Sequence, residues 1–138
     1  MKVYLDSSVV LRVVLGEPSI LREWSRITHA SMSEIGPVEC LRALDRLRIE
    51  GGMKDRELAR RRATALELFQ GIELVRINRS VLARASEPFP TQIRTLDAIH
   101  LASALLVKER TPSLGFATHD AELGTAALAV GFRVIGAG

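Results

Sequence analysis

Five short apolar stretches, each separated from the next by helical patterning, restrict the fold of this chain more than any other feature. The strand candidates are "KVYL" (Lys2 to Leu5), "THASM" (Thr28 to Met32), "IELVRI" (Ile72 to Ile77), "LGFAT" (Leu114 to Thr118) and "RVI" (Arg133 to Ile135). Helical patterns cover Ser8 to Leu15, Ser19 to Arg26, Ile35 to Glu50, Asp55 to Gln70, Arg79 to Ser86, Leu96 to Glu109 and Ala121 to Val130. Such alternation predicts an α/β domain around a mainly parallel sheet of about five strands, flanked by helices. Gly51 and Gly52 stop one helix and permit a sharp turn into the next, so the helices at 35–50 and 55–70 form a hairpin inserted in the alternation. The segment around Pro88 and Pro90 is a loop. No repeat, low-complexity tract or linker interrupts the chain, and its 138 residues fit one domain spanning 1–138.

Composition removes several classes of function. Hydrophobic residues make up 47% and charged residues 25%, the balance of a folded globular protein. Aromatics are only 4%, so Leu, Val, Ile and Ala must build the core, and a platform of aromatics for stacking bases is not expected. Cys40 is the single cysteine, which rules out an intrachain disulfide and a thiolate metal site and fits a reduced, cytoplasmic setting. Asp6 and Arg12 break the apolar start of the chain, and no small-residue cleavage site follows, which is unlike a signal peptide. No apolar run reaches membrane-spanning length, and no membrane partner is expected. The formal net charge is +3, compatible with a polyanionic partner. Arg, which suits bidentate phosphate contacts, outnumbers Lys.

Against this mildly basic background, four acids fall at consequential places. Asp6 comes directly after the first strand and Asp120 just beyond "LGFAT". In a parallel sheet the C-terminal strand ends share one edge, where ligands bind. Asp97 lies in the first turn of "TLDAIHLASALL", a helix apolar almost all the way round, where a carboxylate needs a cation or hydrogen bonds. Glu39 borders the apolar face of its helix. Each acid alone has a plain reading. Asp6 and Asp120 suit helix N-caps, Asp97 suits the positive end of a helix dipole, and Glu39 suits a solvated edge. Gathered together they would repel one another, and a hard divalent cation, Mg²⁺ or Mn²⁺, would relieve that. An ion so held can activate water and stabilise charge on a phosphodiester, so an acidic pocket in a basic chain points to a metal-dependent nuclease.

The same residues resemble a known family. "VYLDSSVVLRVVL", "SEIGPVECLRAL", "TLDAIHLASAL" and "FATHDAELGTAALAVGFRVI" are similar, in order and spacing, to the four motifs of PIN-domain proteins, and the size and hairpin match the VapC-type toxins of bacterial toxin–antitoxin pairs. The resemblance implies a PIN-like fold and an endoribonuclease using Mg²⁺ or Mn²⁺. It also implies a homodimer and a small antitoxin whose tail covers the active-site groove. By motif position Asp6, Glu39, Asp97 and Asp120 form the acidic quartet, with Asp6 and Asp97 the most direct metal ligands. Ser8 and Thr118 match the supporting hydroxyls. Gly36-Pro37 departs mildly from the motif, though Pro is tolerated in a first helical turn, and His119 falls at a variable place.

Other residues carry weaker expectations. His100, three residues after Asp97, either orients that carboxylate or is a buried, hydrogen-bonded histidine. Arg42 and Arg46, at i and i+4 on the Glu39 helix, are candidates for phosphate contacts with RNA. Arg60, Arg61 and Arg62 form either an RNA patch or a solvated helix face. Trp24 and Cys40 read as packing residues. A dehalogenase-type phosphatase would need an acid where Ser8 stands, a receiver domain a paired acid and a late Lys, and a dinucleotide fold a G-x-G-x-x-G. A non-cleaving PIN-like module for RNA or protein, or a solitary nuclease without antitoxin, remains the alternative; all four acids are present, which favours the enzyme.

Overall fold

In the computed structural model, which describes residues 1–137, every strand of the sheet is parallel. Gly138, the last residue of the expected domain, lies outside the described residues. The strands are β1 (Lys2–Leu5), β2 (His29–Ser33), β3 (Glu73–Val75), β4 (Gly115–Ala117) and β5 (Arg133–Ile135), ordered β3-β2-β1-β4-β5. The chain moves outward from β1 through β2 to β3, then crosses to the other side of β1 for β4 and β5. β1 is therefore central, and the switch point lies between β1 and β4, where Leu5 is in register with Ala117. A crevice opens at such a point beyond the strand C-terminal ends.

The period-two geometry of β1 divides the core between two layers. Val3 and Leu5 join Val9, Val10, Met32 and Leu44 on one face. Tyr4 points the other way and joins Leu101, Phe116, Leu123 and Phe132. The first layer is covered by α1 (Ser7–Val14), α2 (Ile35–Gly51) and α3 (Asp55–Gln70). α1 packs on both α2 and α3, which also pack on each other across a turn closed by Gly52 at φ +68°. The second layer takes α4 (Arg79–Ala85), α5 (Thr95–Arg110) and α6 (Ala121–Ala129).

The all-round apolar character of α5 follows from its position. It lies against both β2 and α4, and Leu101, Ala102 and Ala104 are completely buried. Gly36 and Pro37 also have a physical reason. They occupy the first turn of α2, and a Cβ at Gly36 would lie 2.4 Å from the buried Met32 Sδ. No helix among the described residues is long and apolar enough to cross a membrane.

The expected helix over Ser19 to Arg26 does not form; only Trp24–Arg26 make a single 3₁₀ turn. The Ser19 carbonyl is held by Arg12 Nη1 at 3.0 Å, and Leu21 is the only side chain of the stretch that is fully buried. One anchor does not make the continuous apolar stripe a helix needs. Of the expected Ile72 to Ile77 strand only Glu73–Val75 pair, as the sheet edge.

Candidate functional site

Asp6 and Asp120 follow the C-terminal ends of β1 and β4, the strands either side of the switch point. Asp6 follows β1, and its backbone N–H extends the β1–β4 ladder by donating to the Ala117 carbonyl at 3.0 Å. It stands at the N-cap position of α1 but makes no side-chain cap bond. Its carboxylate turns instead into a side-chain network. Ser8 Oγ donates to Asp6 Oδ2 at 2.7 Å and the buried Thr118 Oγ1 donates to the same oxygen at 2.9 Å. Ser8 Oγ accepts from the His119 N–H at 3.1 Å, and Thr118 Oγ1 accepts from the Asp120 N–H at 3.0 Å. The two hydroxyls thus join the loop after β1 to the loop after β4, while Asp6 Oδ1 has only a long bond from Ser7 Oγ, at 3.5 Å. Asp6 is 6% exposed.

Asp120 does cap a helix. Its Oδ1 accepts from the Glu122 and Leu123 N–H groups at the start of α6, at 2.9 and 3.2 Å. Its second oxygen makes no hydrogen bond within the chain among the described residues. The N-cap reading therefore holds for Asp120 and fails for Asp6.

Asp97 lies in the first turn of α5, half-buried. Partial burial first, then the charges of Asp6 and Asp120 and more weakly of Glu39, push its pKa up to about 6, with His100 acting in the opposite sense. Burial is the larger cause, and the charges of Asp6, Asp120 and Glu39 add to it.

His100 is completely buried one turn along α5. It meets Glu39 rather than Asp97: its Nε2 lies 2.5 Å from Glu39 Oε1 and 3.8 Å from Asp6 Oδ1. Its Nδ1 is 2.7 Å from the Tyr4 hydroxyl, which accepts from the Ser33 N–H at 2.9 Å. Burial lowers the His100 pKa, but the hydrogen bond to Glu39 and the charges of Asp6, Glu39 and Asp97 outweigh it, so the value is raised. Burial also pushes the Tyr4 phenol well above its ordinary range. Tyr4 was hidden in the sequence inside an ordinary apolar strand; the i, i+3 spacing of Asp97 and His100 was the one available signal for the histidine.

The donor set is made of hard carboxylate oxygens, with Cys40 buried in the core and bonded to the Ser7 carbonyl at 3.7 Å. No three His, Cys, Asp or Glu side chains among the described residues already stand in ligating array around one point. This chemistry fits Mg²⁺ or Mn²⁺ held through one or two carboxylates with retained waters, and not a dehydrated, all-protein cage.

Arg42 and Arg46 lie exposed on α2, lining a surface cavity of about 230 Å³ with Asp45, Ile49 and Glu50. Arg42 is one turn beyond Glu39. The basic run on α3 divides. Arg61 donates to the Val14 carbonyl at 3.2 Å and pairs with Glu57, whereas Arg60 and Arg62 are exposed. Trp24 packs, partly buried, against the first core layer.

The model of one family, the PIN domain, matches residues 3–126. The chain is 34% identical over 137 residues to "Ribonuclease VapC46" of Mycobacterium tuberculosis, covering 96% of this chain and 95% of that protein. It is 29% identical over 137 residues to "Ribonuclease VapC47" of the same species, with coverage of 94% and 93%. Its fold is similar to that of a toxin-antitoxin complex from Klebsiella pneumoniae, with a TM-score of 0.65, 13% identity and 88% of each chain covered.

Proposed function

From the premise that this chain belongs to the PIN-domain family, we propose that it is a divalent-metal-dependent endoribonuclease, the toxin of a toxin–antitoxin pair. The observation that carries this reading is geometric: the buried His100 faces both Glu39 and Asp6, one turn along the helix that opens with Asp97. Relatives named as ribonucleases support RNA as the substrate, and the likeness to a toxin-antitoxin complex supports a small antitoxin as partner. A cytoplasmic homodimer is the assembly expected with such a partner.

In this reading Asp6 and Asp97 hold Mg²⁺ or Mn²⁺. Such an ion, when bound, lowers the pKa of a water and offsets charge on the phosphodiester. The chain supplies the rest. Ser8 and Thr118 fix one oxygen of Asp6, and the other, which only the long bond from Ser7 reaches, would meet the ion. Glu39 and Asp120 complete the negative pocket, hold water and accept protons from it. Arg42 and Arg46 on α2 offer exposed guanidinium groups for flanking RNA phosphates.

The direct test is incubation of the purified protein with cellular RNA, with and without EDTA, and mapping of new ends. Cleavage is expected only with free Mg²⁺ or Mn²⁺. Asp6→Ala and Asp97→Ala should each abolish it, while circular dichroism still reports a folded chain. Cleavage that persists in both variants refutes the assignment.

A further inference from the structure

We propose that His100 is the positioning residue for Glu39, and that Tyr4 locks the imidazole in the tautomer this requires. The role in metal binding rests on the nuclease reading above; the lock is a property of the metal-free chain.

For the neutral ring, the partners within reach assign a direction to each bond in the chain of contacts. The Tyr4 oxygen already accepts from the Ser33 backbone N–H at 2.9 Å. Its own hydrogen then has His100 Nδ1, 2.7 Å away, as acceptor. A ring nitrogen that accepts carries no hydrogen, so the neutral imidazole bears its proton on Nε2. That is the nitrogen facing Glu39 Oε1 at 2.5 Å. Backbone amide, phenol, imidazole and carboxylate thus form one directed series running from β2 through β1 and α5 to α2.

The series is rigid below and adjustable only at its end. Tyr4, Ser33 and His100 have no exposed surface. The Tyr4 ring stacks on Phe116 with centroids 5.3 Å apart, and His100 meets its edge at 6.0 Å. Glu39, by contrast, has a long side chain on α2 that is 24% exposed. Left alone it would swing among rotamers and away from the other acids, because like charges repel. The Nε2–H holds it at the mouth of the crevice. The same nitrogen stands 3.8 Å from Asp6 Oδ1, so the ring edge sits between two carboxylates and sets their separation. A buried polar series of this kind is stable only with every partner in place, which ties the position of Glu39 to the fixed groups beneath it. Outer partners that aim carboxylates at a metal act in this way.

The test begins on the metal-free, full-length protein with long-range proton–nitrogen NMR of the histidine rings. His100 is expected as the Nε2–H form with Nδ1 accepting, and its Nε2 proton should be shifted far downfield and protected from exchange. Tyr4→Phe should relax the tautomer preference, and Glu39→Gln should move the proton upfield. Mn²⁺ binding followed by electron paramagnetic resonance, with no RNA present, and steady-state cleavage then report the consequence. Tyr4→Phe and His100→Leu are expected to weaken Mn²⁺ binding and lower kcat by about tenfold or more with KM for RNA unchanged, and His100→Gln, which keeps an N–H for Glu39, should recover part of the loss. An Nδ1–H tautomer in the wild type overturns the lock, as does a folded Tyr4→Phe that matches the wild type in Mn²⁺ affinity and kcat. A wild type with the locked ring that neither binds Mn²⁺ nor cuts RNA overturns the nuclease reading and the positioning role with it. A wild type that cuts RNA with an unlocked ring overturns this inference alone.

Discussion

Single side chains at this site carry opposed demands of stability and chemistry. Asp97 is the clearest case, because burial and its neighbours' charges push its pKa up to about 6. In an unfolded chain the group titrates near about 3.9. Between those values the folded state binds more protons than the unfolded one, so metal-free stability falls as pH rises from about 4 to about 6 and stays lowered above. Asp97→Asn removes the penalty. With the carboxylate half-exposed and therefore screened, the gain at neutral pH should be on the order of 1 kcal/mol, vanishing below about pH 4, while cleavage is lost. Urea unfolding in EDTA at pH 4 and pH 7 measures it; an equal effect at both values contradicts the electrostatic cause. Asp6 answers the same demands differently, through Ser8 and Thr118. These hydroxyls were recognisable in the sequence by motif position, but that both bind one oxygen of one acid depends on β1 and β4 lying side by side.

At the scale of elements, Asp120 shows how one residue serves both a helix and a site. Its Oδ1 caps α6. Asp120→Ala should lower stability by about 0.5–2 kcal/mol, whereas Asp120→Asn, which also caps, should stay near the wild type. Both should cleave RNA more slowly, because both remove the charge. Thermal melts beside cleavage rates separate the two roles, and full activity in Asp120→Asn would leave Asp120 as a cap alone. The elements themselves were largely legible, since β1, α3 and β5 fall where apolar periodicity places them. Ser19 to Arg26 was not. Its helical pattern yields to a local tie from Arg12 to the Ser19 carbonyl, and to a cavity of about 230 Å³ that Trp24 and Ile27 line with Leu5 and Leu68. His100 was legible as a buried, hydrogen-bonded histidine, but its partners, and the role of Tyr4, were not, for a related reason. Their partners lie 29, 96 and 61 positions away, and no local pattern encodes such pairings.

For the molecule as a whole, the proposed site would be a sink of negative charge in a chain of net charge +3. An ion bound there should stabilise the folded state, by about 2.7 kcal/mol at a hundred times its Kd. Mn²⁺ is therefore expected to raise the Tm of the wild type, EDTA to reverse the rise, and Asp6→Ala to show none. Binding of RNA to a catalytically silenced variant should weaken with salt, and Arg42→Ala should reduce the slope of log K against log salt by about 1 if Arg42 meets one phosphate. An unchanged slope removes Arg42 from the interface. The central position of β1 has a further consequence. Thr118, the anchoring partner of Asp6, is made 112 residues after it, and β4 must then slot in beside β1 before the two can meet. In the proposed reading, a nascent chain would therefore lack its finished acidic site until β4 has docked, a delay in which an antitoxin could engage it.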